Sequence, residues 1–241
     1  MPVAFLPEFP LYFPHPSQAD RHGLLAIGGS LSSERIILAY QNGIFPWYNL
    51  GEPIMWWSLS PRLMLDPKQI HVSKSMHRVL NNKSFSVTAD KDFEQVMRNC
   101  GAIMRQGQNE SWIHEEMIQA YINLHQMGIA HSIEVWKSEE LVGGIYGLAI
   151  GKLFCGESMF SKISNTSKLA MINLANFLSV KKFDWIDCQQ ESDHMKRMGA
   201  SVISQGDFLN YLEQNKRNSL VSENWSEEFS NFYQEWTNFR Y

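Results

Sequence analysis

Three strand-like runs follow one another between residues 130 and 160, and they limit the possible folds more than any other feature of this chain. The runs are AHSIEVW, LVGGIYGLAIG and KLFCGESMF, and short polar or glycine-containing connections join them. Runs rich in β-branched and aromatic residues with such short connections predict an antiparallel meander. Any fold proposed for the chain has to contain these three strands side by side.

Helix and strand patterns surround the meander. Before it, FSVTAD predicts a strand, DFEQVMRNC a helix, and residues 114–127 a second helix. After it come a helix over about 167–180, a strand over 183–189, a short helix around Met195, the strand SVIS and the helix DFLNYLEQNKR. This order predicts an α+β fold, or a mixed α/β layer, with helices flanking one mixed sheet. The aromatic tail WSEEFSNFYQEWTNFRY predicts a last helix that docks on the chain itself.

The first sixty residues are rich in glycine, proline and aromatic residues, and they predict a smaller unit. Ser32 or Ser33 begins a short helix that ends at Gly43, with loops on either side. The proline that follows SLS predicts a boundary. We therefore expect a small N-terminal domain over residues 1–61 and a larger domain over residues 62–241.

Length and composition exclude several classes of protein. With 241 residues, 44% of them hydrophobic, the chain can bury a sizeable core. No apolar run reaches the roughly 20 residues that span a bilayer, and MPVAFLPEFP lacks a signal-peptide pattern, so we expect a cytoplasmic protein without membrane contact. Cys100, Cys155 and Cys188 are far apart in the sequence, which predicts neither a disulfide framework nor a metal site.

The charge pattern leaves room for a local nucleic-acid contact. A formal net charge of −4 argues against a protein whose whole surface binds nucleic acid. Within HVSKSMHRVLNNKSF, residues 71–85, Lys74, Arg78 and Lys83 nevertheless occur without any acidic residue. Such a stretch is either a solvated helix face or a strip that contacts nucleic acid, and the residues alone leave both interpretations open.

Two short stretches place acids directly after apolar runs: GES contains Glu157, and DCQ contains Asp187 and Gln189. A carboxylate among apolar neighbours is unfavourable unless it is hydrogen-bonded, paired or in contact with a ligand. If the two strands are neighbours, the three side chains converge on one spot at the edge of the sheet. The alternative is that each acid only caps a helix or forms a turn.

Other chemistries have less support in the sequence. Ser158 lies in GESMF rather than in a G-x-S-x-G elbow, and Cys155 and Cys188 have no basic partner nearby in the sequence. LVGGIYG lacks the lysine of a P-loop. Tryptophans such as Trp47 and Trp112 either pack in the core or offer a ring on which a base can stack.

A series of sequence words, taken in order, carries a family resemblance. The words are GLLAIGGSLS, AYQNGIFPWY, WWSLSPR, HVSKSM, WIHEEM, AYINLHQMGIAHSIEVW, LVGGIYG, LFCGESMFS, NTSK, IDCQ and MGA. From about Gly23 to about Leu212 the chain resembles the bacterial leucyl/phenylalanyl-tRNA–protein transferases. The resemblance implies transfer of Leu or Phe, and Met less well, from aminoacyl-tRNA to the N-terminal Arg or Lys of an acceptor protein, which is thereby marked for degradation. It also implies a larger domain similar to the GNAT acyltransferases.

The resemblance assigns roles to individual residues. It places the catalytic pair on Asp187 and Gln189 and the acid of the binding pocket on Glu157. The pocket for the aminoacyl group and the terminal adenosine would comprise Trp47, Trp112, Ile145, Gly156, Ser158 and Met159. Contacts with tRNA would fall on Lys74, Arg78 and Lys83. Aminoacyl-tRNA is then the donor, no cofactor or metal is expected, and we expect a monomer.

A mechanism follows as a hypothesis from these roles. Gln189 accepts a hydrogen bond from the acceptor amine and aims it, and Asp187 polarises and orients Gln189. Glu157 faces an ammonium or hydroxyl of a substrate, most simply the α-amine of the donor. Proton transfer through Asp187 and proton transfer through the terminal ribose hydroxyl are both open at this stage.

Three departures and two alternatives accompany the resemblance. Ser30, Ser192 and Gln205 replace residues common in the family, and they affect tRNA affinity and loop geometry more than the type of reaction.

One alternative is an acyl-CoA-dependent GNAT acyltransferase, although SKISNTSK contains no glycine for a pyrophosphate loop. The other is a tRNA-binding module without catalytic activity.

Overall fold

The computed structural model of the chain describes residues 3–81, 84–103, 111–220 and 222–238. The strands are β1 (Ala4–Leu6), β2 (Leu24–Gly28), β3 (Phe45–Pro46), β4 (Met55–Trp57), β5 (Arg62–Leu65), β6 (Ser86–Ala89), β7 (Ala130–Lys137), β8 (Glu140–Ile150), β9 (Leu153–Ser161), β10 (Trp185–Gln189) and β11 (Ser201–Ile203). The helices are α1 (Ser33–Gln41), α2 (Lys74–Leu80), α3 (Phe93–Ala102), α4 (Glu115–Gln126), α5 (Thr166–Val180), α6 (Asp193–Arg197), α7 (Gln205–Asn215) and α8 (Trp225–Asn238).

The N-terminal region forms a sheet that the sequence did not predict. Four strands pair in the order β1-β2-β4-β3, where loops were expected on both sides of one helix. That expectation was wrong because LLAIG and MWW are short apolar runs in which no alternation is visible. The helix itself is confirmed: Ser32 caps α1, and its hydroxyl accepts a hydrogen bond from the Arg35 main-chain N–H at 3.3 Å.

The larger sheet has seven strands in the order β11-β5-β10-β9-β8-β7-β6. The predicted meander is confirmed, since β7, β8 and β9 pair antiparallel in succession. Strand β10 pairs parallel to β9 after the chain returns through α5, and β5 pairs antiparallel with the other edge of β10. The sheet is therefore mixed, and it brings the strand that ends in DCQ beside the strand that contains GES.

Helices cover both faces of this sheet, which confirms the α+β fold class. On one face, α3 and α4 bury Phe93 and Leu124 together with Trp56 of the N-terminal sheet. On the other face, α5 and α8 bury Leu174 and Trp225. The chain passes from one sheet to the other between β4 and β5, and a division into two domains at residue 61 stays a prediction.

The C-terminal helix docks on the chain, as predicted. Phe229 is fully buried, and its ring lies 5.2 Å from that of Phe177 in α5. The indole of Trp225 stacks on the His131 ring at a centroid distance of 3.8 Å. Among the described residues, no helix is both long enough and apolar enough to cross a membrane.

Candidate active site

Glu157 and Gln189 meet where β9 and β10 separate. The parallel ladder between the two strands ends at the pair formed by Cys155 and Asp187. Beyond that pair, the Gln189 side-chain Nε2 donates to Glu157 Oε1 at 2.8 Å and to the Gly156 carbonyl at 3.3 Å. The predicted convergence of these side chains is confirmed, but they meet between two interior strands and not at the edge of the sheet, because β9 continues past Glu157 to Ser161.

Two tyrosines support the Glu157 carboxylate from the opposite side. The Tyr121 hydroxyl donates to Glu157 Oε2 at 3.2 Å, and the Tyr40 and Tyr121 hydroxyls are 2.6 Å apart. Burial raises the pKa of Glu157 to about 7, although hydrogen bonds from the tyrosines and from Gln189 act in the opposite direction. The sequence predicted the helix over residues 114–127 that contains Tyr121, but no role for this residue; the signal that could have found it is that a buried tyrosine hydroxyl needs a hydrogen-bond partner.

Asp187 is paired with an arginine that no sequence pattern indicated. Arg62 Nη2 donates to Asp187 Oδ2 at 2.6 Å and Arg62 Nε donates to Oδ1 at 2.8 Å, and both side chains are only 1% exposed. Arg62 also donates to the Gly43 carbonyl, and its guanidinium lies over the Phe208 ring. Although burial opposes the charge, the neighbouring Asp187 raises the pKa of Arg62. In the sequence, Arg62 follows a proline turn, where nothing indicates that it is buried.

Asp187 also fixes the main chain of Gln189. Asp187 Oδ1 accepts a hydrogen bond from the Gln189 main-chain N–H at 2.8 Å. Gln189 has a φ of 58°, a left-handed conformation that residues other than glycine rarely adopt, and the pairing with β5 is irregular at this point. The side-chain amide of Gln189 is held by Glu157 rather than by Asp187, which differs from the contact expected from the sequence. Asp187 therefore acts on Gln189 through the backbone.

A cavity of about 450 Å³ opens next to the Glu157–Gln189 pair. It is lined by all six residues predicted for the pocket, Trp47, Trp112, Ile145, Gly156, Ser158 and Met159. Met171, Ile186 and Met195 extend its apolar wall. The six residues thus share one cavity, and their contribution to substrate binding stays a prediction.

The tryptophans divide into core and cavity residues. Trp56 is fully buried and donates from its Nε1 to the Gly28 carbonyl at 2.8 Å. Trp57 Nε1 donates to the Trp47 carbonyl at 2.7 Å, and the two rings are tilted with centroids 5.5 Å apart. This contact fixes the backbone of Trp47 at the cavity, where its half-buried side chain faces a ligand-sized space.

The basic stretch over residues 71–85, predicted to contact tRNA, lies only partly within the described residues. Lys74 and Arg78 are exposed on α2, and Met76 of the same helix is buried. Lys83 lies outside the described residues. Contact of these residues with tRNA stays a prediction. Within the described ranges, no group of three or more histidines, cysteines or acids could hold a metal ion.

The site is an apolar cavity where two strands of a mixed sheet separate, and it ends at a hydrogen-bonded carboxylate and amide. Such a site is suited to a transferase that handles an apolar acyl group. Comparison with known protein families identifies which family of transferases this is. The family model described as leucyl/phenylalanyl-tRNA protein transferase matches residues 64–213, and the model of its N-terminal domain matches residues 29–60. The chain belongs to the leucyl/phenylalanyl-tRNA–protein transferase family and is an aminoacyltransferase.

Relatives with this name cover nearly the whole chain. The leucyl/phenylalanyl-tRNA–protein transferase of Flavobacterium johnsoniae is 51% identical over 203 residues, which are 84% of this chain and 96% of the relative. That of Psychromonas ingrahamii is 47% identical over 229 residues, which are 93% of this chain and 96% of the relative. A solved GCN5-related N-acetyltransferase from Kribbella flavida is similar at a TM-score of 0.35 and 9% identity, over 69% of this chain and 59% of that one.

Proposed function

We propose that this protein transfers Leu or Phe, and Met less well, from aminoacyl-tRNA to the N-terminal Arg or Lys of acceptor proteins. The product is a peptide bond, and the new N-terminal residue marks the acceptor for degradation. The protein works in the cytoplasm as a monomer and needs no cofactor beyond the charged tRNA. The observation that carries this proposal is the Glu157–Gln189 hydrogen bond of 2.8 Å at the wall of an apolar cavity, in a member of this family.

The apolar half of the cavity receives the side chain of the donor amino acid. Ile145, Met159 and Met171 offer hydrophobic surface, which the two flexible methionines can adapt to a side chain, and the volume of about 450 Å³ lies within the usual range for ligand pockets. A hydrophobic pocket distinguishes single methylene groups by only about 1–3 kcal/mol, so Met is accepted beside Leu. Side chains branched at the β carbon are excluded by shape. Trp47 and Trp112 lie where the terminal adenosine can stack.

Gln189 holds the acceptor amine. Its Nε2 hydrogens are directed to Glu157 and to the Gly156 carbonyl, so its amide oxygen is the atom left to accept a hydrogen bond from the amine. An α-amine has an ordinary pKa of about 7.7–8.0, and a substantial fraction is therefore neutral near pH 7. The main catalytic task is then to hold the nitrogen about 3–3.5 Å from the ester carbon.

Glu157 takes the proton that the amine loses. When the nitrogen forms its bond to the ester carbon, the nitrogen becomes acidic and the bond between that carbon and the ribose oxygen breaks. A carboxylate with a pKa of about 7 can accept the proton from nitrogen and return it to the ribose oxygen. Asp187 is unsuited to this task because Arg62 engages both of its oxygens. Asp187 and Arg62 are therefore positioning residues that keep Gln189 in its left-handed conformation.

Lys74 and Arg78 contribute to tRNA binding through phosphate contacts. Both are exposed on α2, and the helix is anchored by buried Met76. Phosphate contacts of this kind make affinity fall steeply with salt.

The test is transfer of labelled Leu from charged tRNA to a peptide that begins with Arg. Gln189→Ala should lower kcat by about 100-fold with little change in tRNA affinity, because the amide aims the amine rather than binding the nucleic acid. Salt-sensitive binding of charged tRNA by the wild type without any transfer would overturn the proposal in favour of a binding module.

A further inference from the structure

Three carboxylates line the described cavity, and only one of them is directed to solvent. Asp187 is paired with Arg62, and Glu157 is held by Gln189 and Tyr121. Glu191 lies at the rim, and its side chain is 50% exposed. No lysine or arginine is among the described residues that line the cavity. The rim therefore holds a carboxylate that the proposed reaction steps do not use.

This rim carboxylate already binds an ammonium group. Lys196 Nζ lies 2.5 Å from Glu191 Oε2, and the lysine side chain is 42% exposed. A lysine is a compact charge on a flexible stem of four carbons, so the contact needs little preorganisation. Lys196 thus stands in for a lysine side chain brought to the rim from outside.

We propose that Glu191 recognises the basic side chain of the acceptor's N-terminal residue, and that this side chain displaces Lys196. The inference rests on the proposed function, since it assigns part of the same cavity to the acceptor. Glu191 becomes a specificity residue, and Lys196 becomes an internal competitor.

Chain geometry supports this assignment. Glu191 follows Gln189 by two residues, so their Cα atoms are at most about 7 Å apart. An acceptor whose α-amine is held at Gln189 can therefore extend a long basic side chain to Glu191. A short or neutral side chain cannot form this pair.

The size of the effect follows from exposure. Exposed ion pairs contribute modestly, which corresponds to a preference of up to about fivefold, and the contribution is screened by salt. The preference for a charged acceptor should therefore decrease as ionic strength rises.

The experiment compares peptides that begin with Arg and with citrulline, its neutral analogue, at saturating leucyl-tRNA. The variants are Glu191→Gln and Lys196→Met. The matched control is Glu213→Gln on α7, which removes a carboxylate whose Oε1 lies 2.6 Å from the Nζ of Lys216, the residue that follows this helix. The quantity measured is the ratio of kcat/KM for the Arg peptide to that for the citrulline peptide.

The two variants should move this ratio in opposite directions. Glu191→Gln should lower the ratio by roughly threefold, Lys196→Met should raise it by about twofold, and Glu213→Gln should leave it unchanged. An unchanged ratio in both rim variants, or a wild type that does not distinguish Arg from citrulline, would overturn the assignment of Glu191. Failure of the proposed function looks different, because the wild type would then transfer Leu to neither peptide.

Discussion

Two glutamates on different strands of the same sheet have similarly raised pKa values but quite different surroundings. Glu134 in β7 accepts hydrogen bonds from Ser132 Oγ and Thr88 Oγ1 at 2.5 and 2.6 Å, and burial raises its pKa to about 7. Glu157 in β9 also has its pKa raised to about 7, and it accepts hydrogen bonds from side chains that include Gln189 and Tyr121. Glu134 is fully buried, whereas Glu157 borders a cavity. A perturbed carboxylate thus marks a functional site only when a ligand can reach it.

The largest effect is expected at the third buried carboxylate, Asp187, which unlike the two glutamates is matched by a charge. Arg62→Leu should lower the free energy of unfolding by about 3–5 kcal/mol, because it leaves Asp187 buried without a counter-ion. Urea denaturation measures this value. The control is Arg98→Leu, which removes an exposed arginine paired with Glu94 and Glu115 and should change stability little. Similar losses of unfolding free energy in the two variants would contradict the expectation that the buried Arg62–Asp187 pair matters more than the exposed pairs of Arg98.

The next effect separates the two glutamates by activity. Glu157→Gln should lower kcat for Leu transfer by about 100-fold, since the amide can neither accept nor return the proton. Glu134→Gln should leave kcat/KM within about twofold, because Glu134 has no exposed surface through which a substrate could contact it. The transfer assay with an Arg peptide decides between the two outcomes. Equal losses of activity in the two variants would contradict the expected difference and indicate a structural role for both residues.

The smallest effect concerns stability against pH, where the two glutamates should behave alike. Each has a folded-state pKa of about 7, above its ordinary value of 4.5, so the folded state holds more protons between these values. The stabilisation is complete below about pH 4.5 and is lost as pH rises to about 7, with a slope of at most about 1.4 kcal/mol per pH unit for each group.

Urea unfolding at pH 5, 6, 7 and 8 measures this slope. Glu134→Gln and Glu157→Gln should each remove part of it, and the double variant should remove more than either. A slope that neither substitution alters would show that other groups govern the pH dependence.

The sequence predicted the helices and strands whose apolar residues recur at a regular spacing. Phe93, Val96, Met97 and Cys100 recur with helical spacing and all are buried in α3. Strands β1 to β5 have between two and five residues, and β5 is buried throughout, so neither length nor alternation distinguished them from loops.

The residues of the candidate site that could be predicted are those that lie in or next to recognisable strands. Glu157, Asp187 and Gln189 follow apolar runs, and the family words fixed their relation. Arg62 and Tyr40 could not be found in this way, because they approach the site from segments more than a hundred residues away in sequence. Long-range partners of a buried charge depend on the sheet order, which no local pattern contains.

The left-handed backbone of Gln189 has a consequence for anyone who selects this protein for heat resistance. A glycine at position 189 would relax the peptide at φ 58° and would look like an improvement to a screen that scores only melting temperature. Such a screen would favour variants that are more robust and chemically silent. Glycine has no side-chain amide to hold the acceptor amine, so screens of this protein for heat resistance should include the transfer assay.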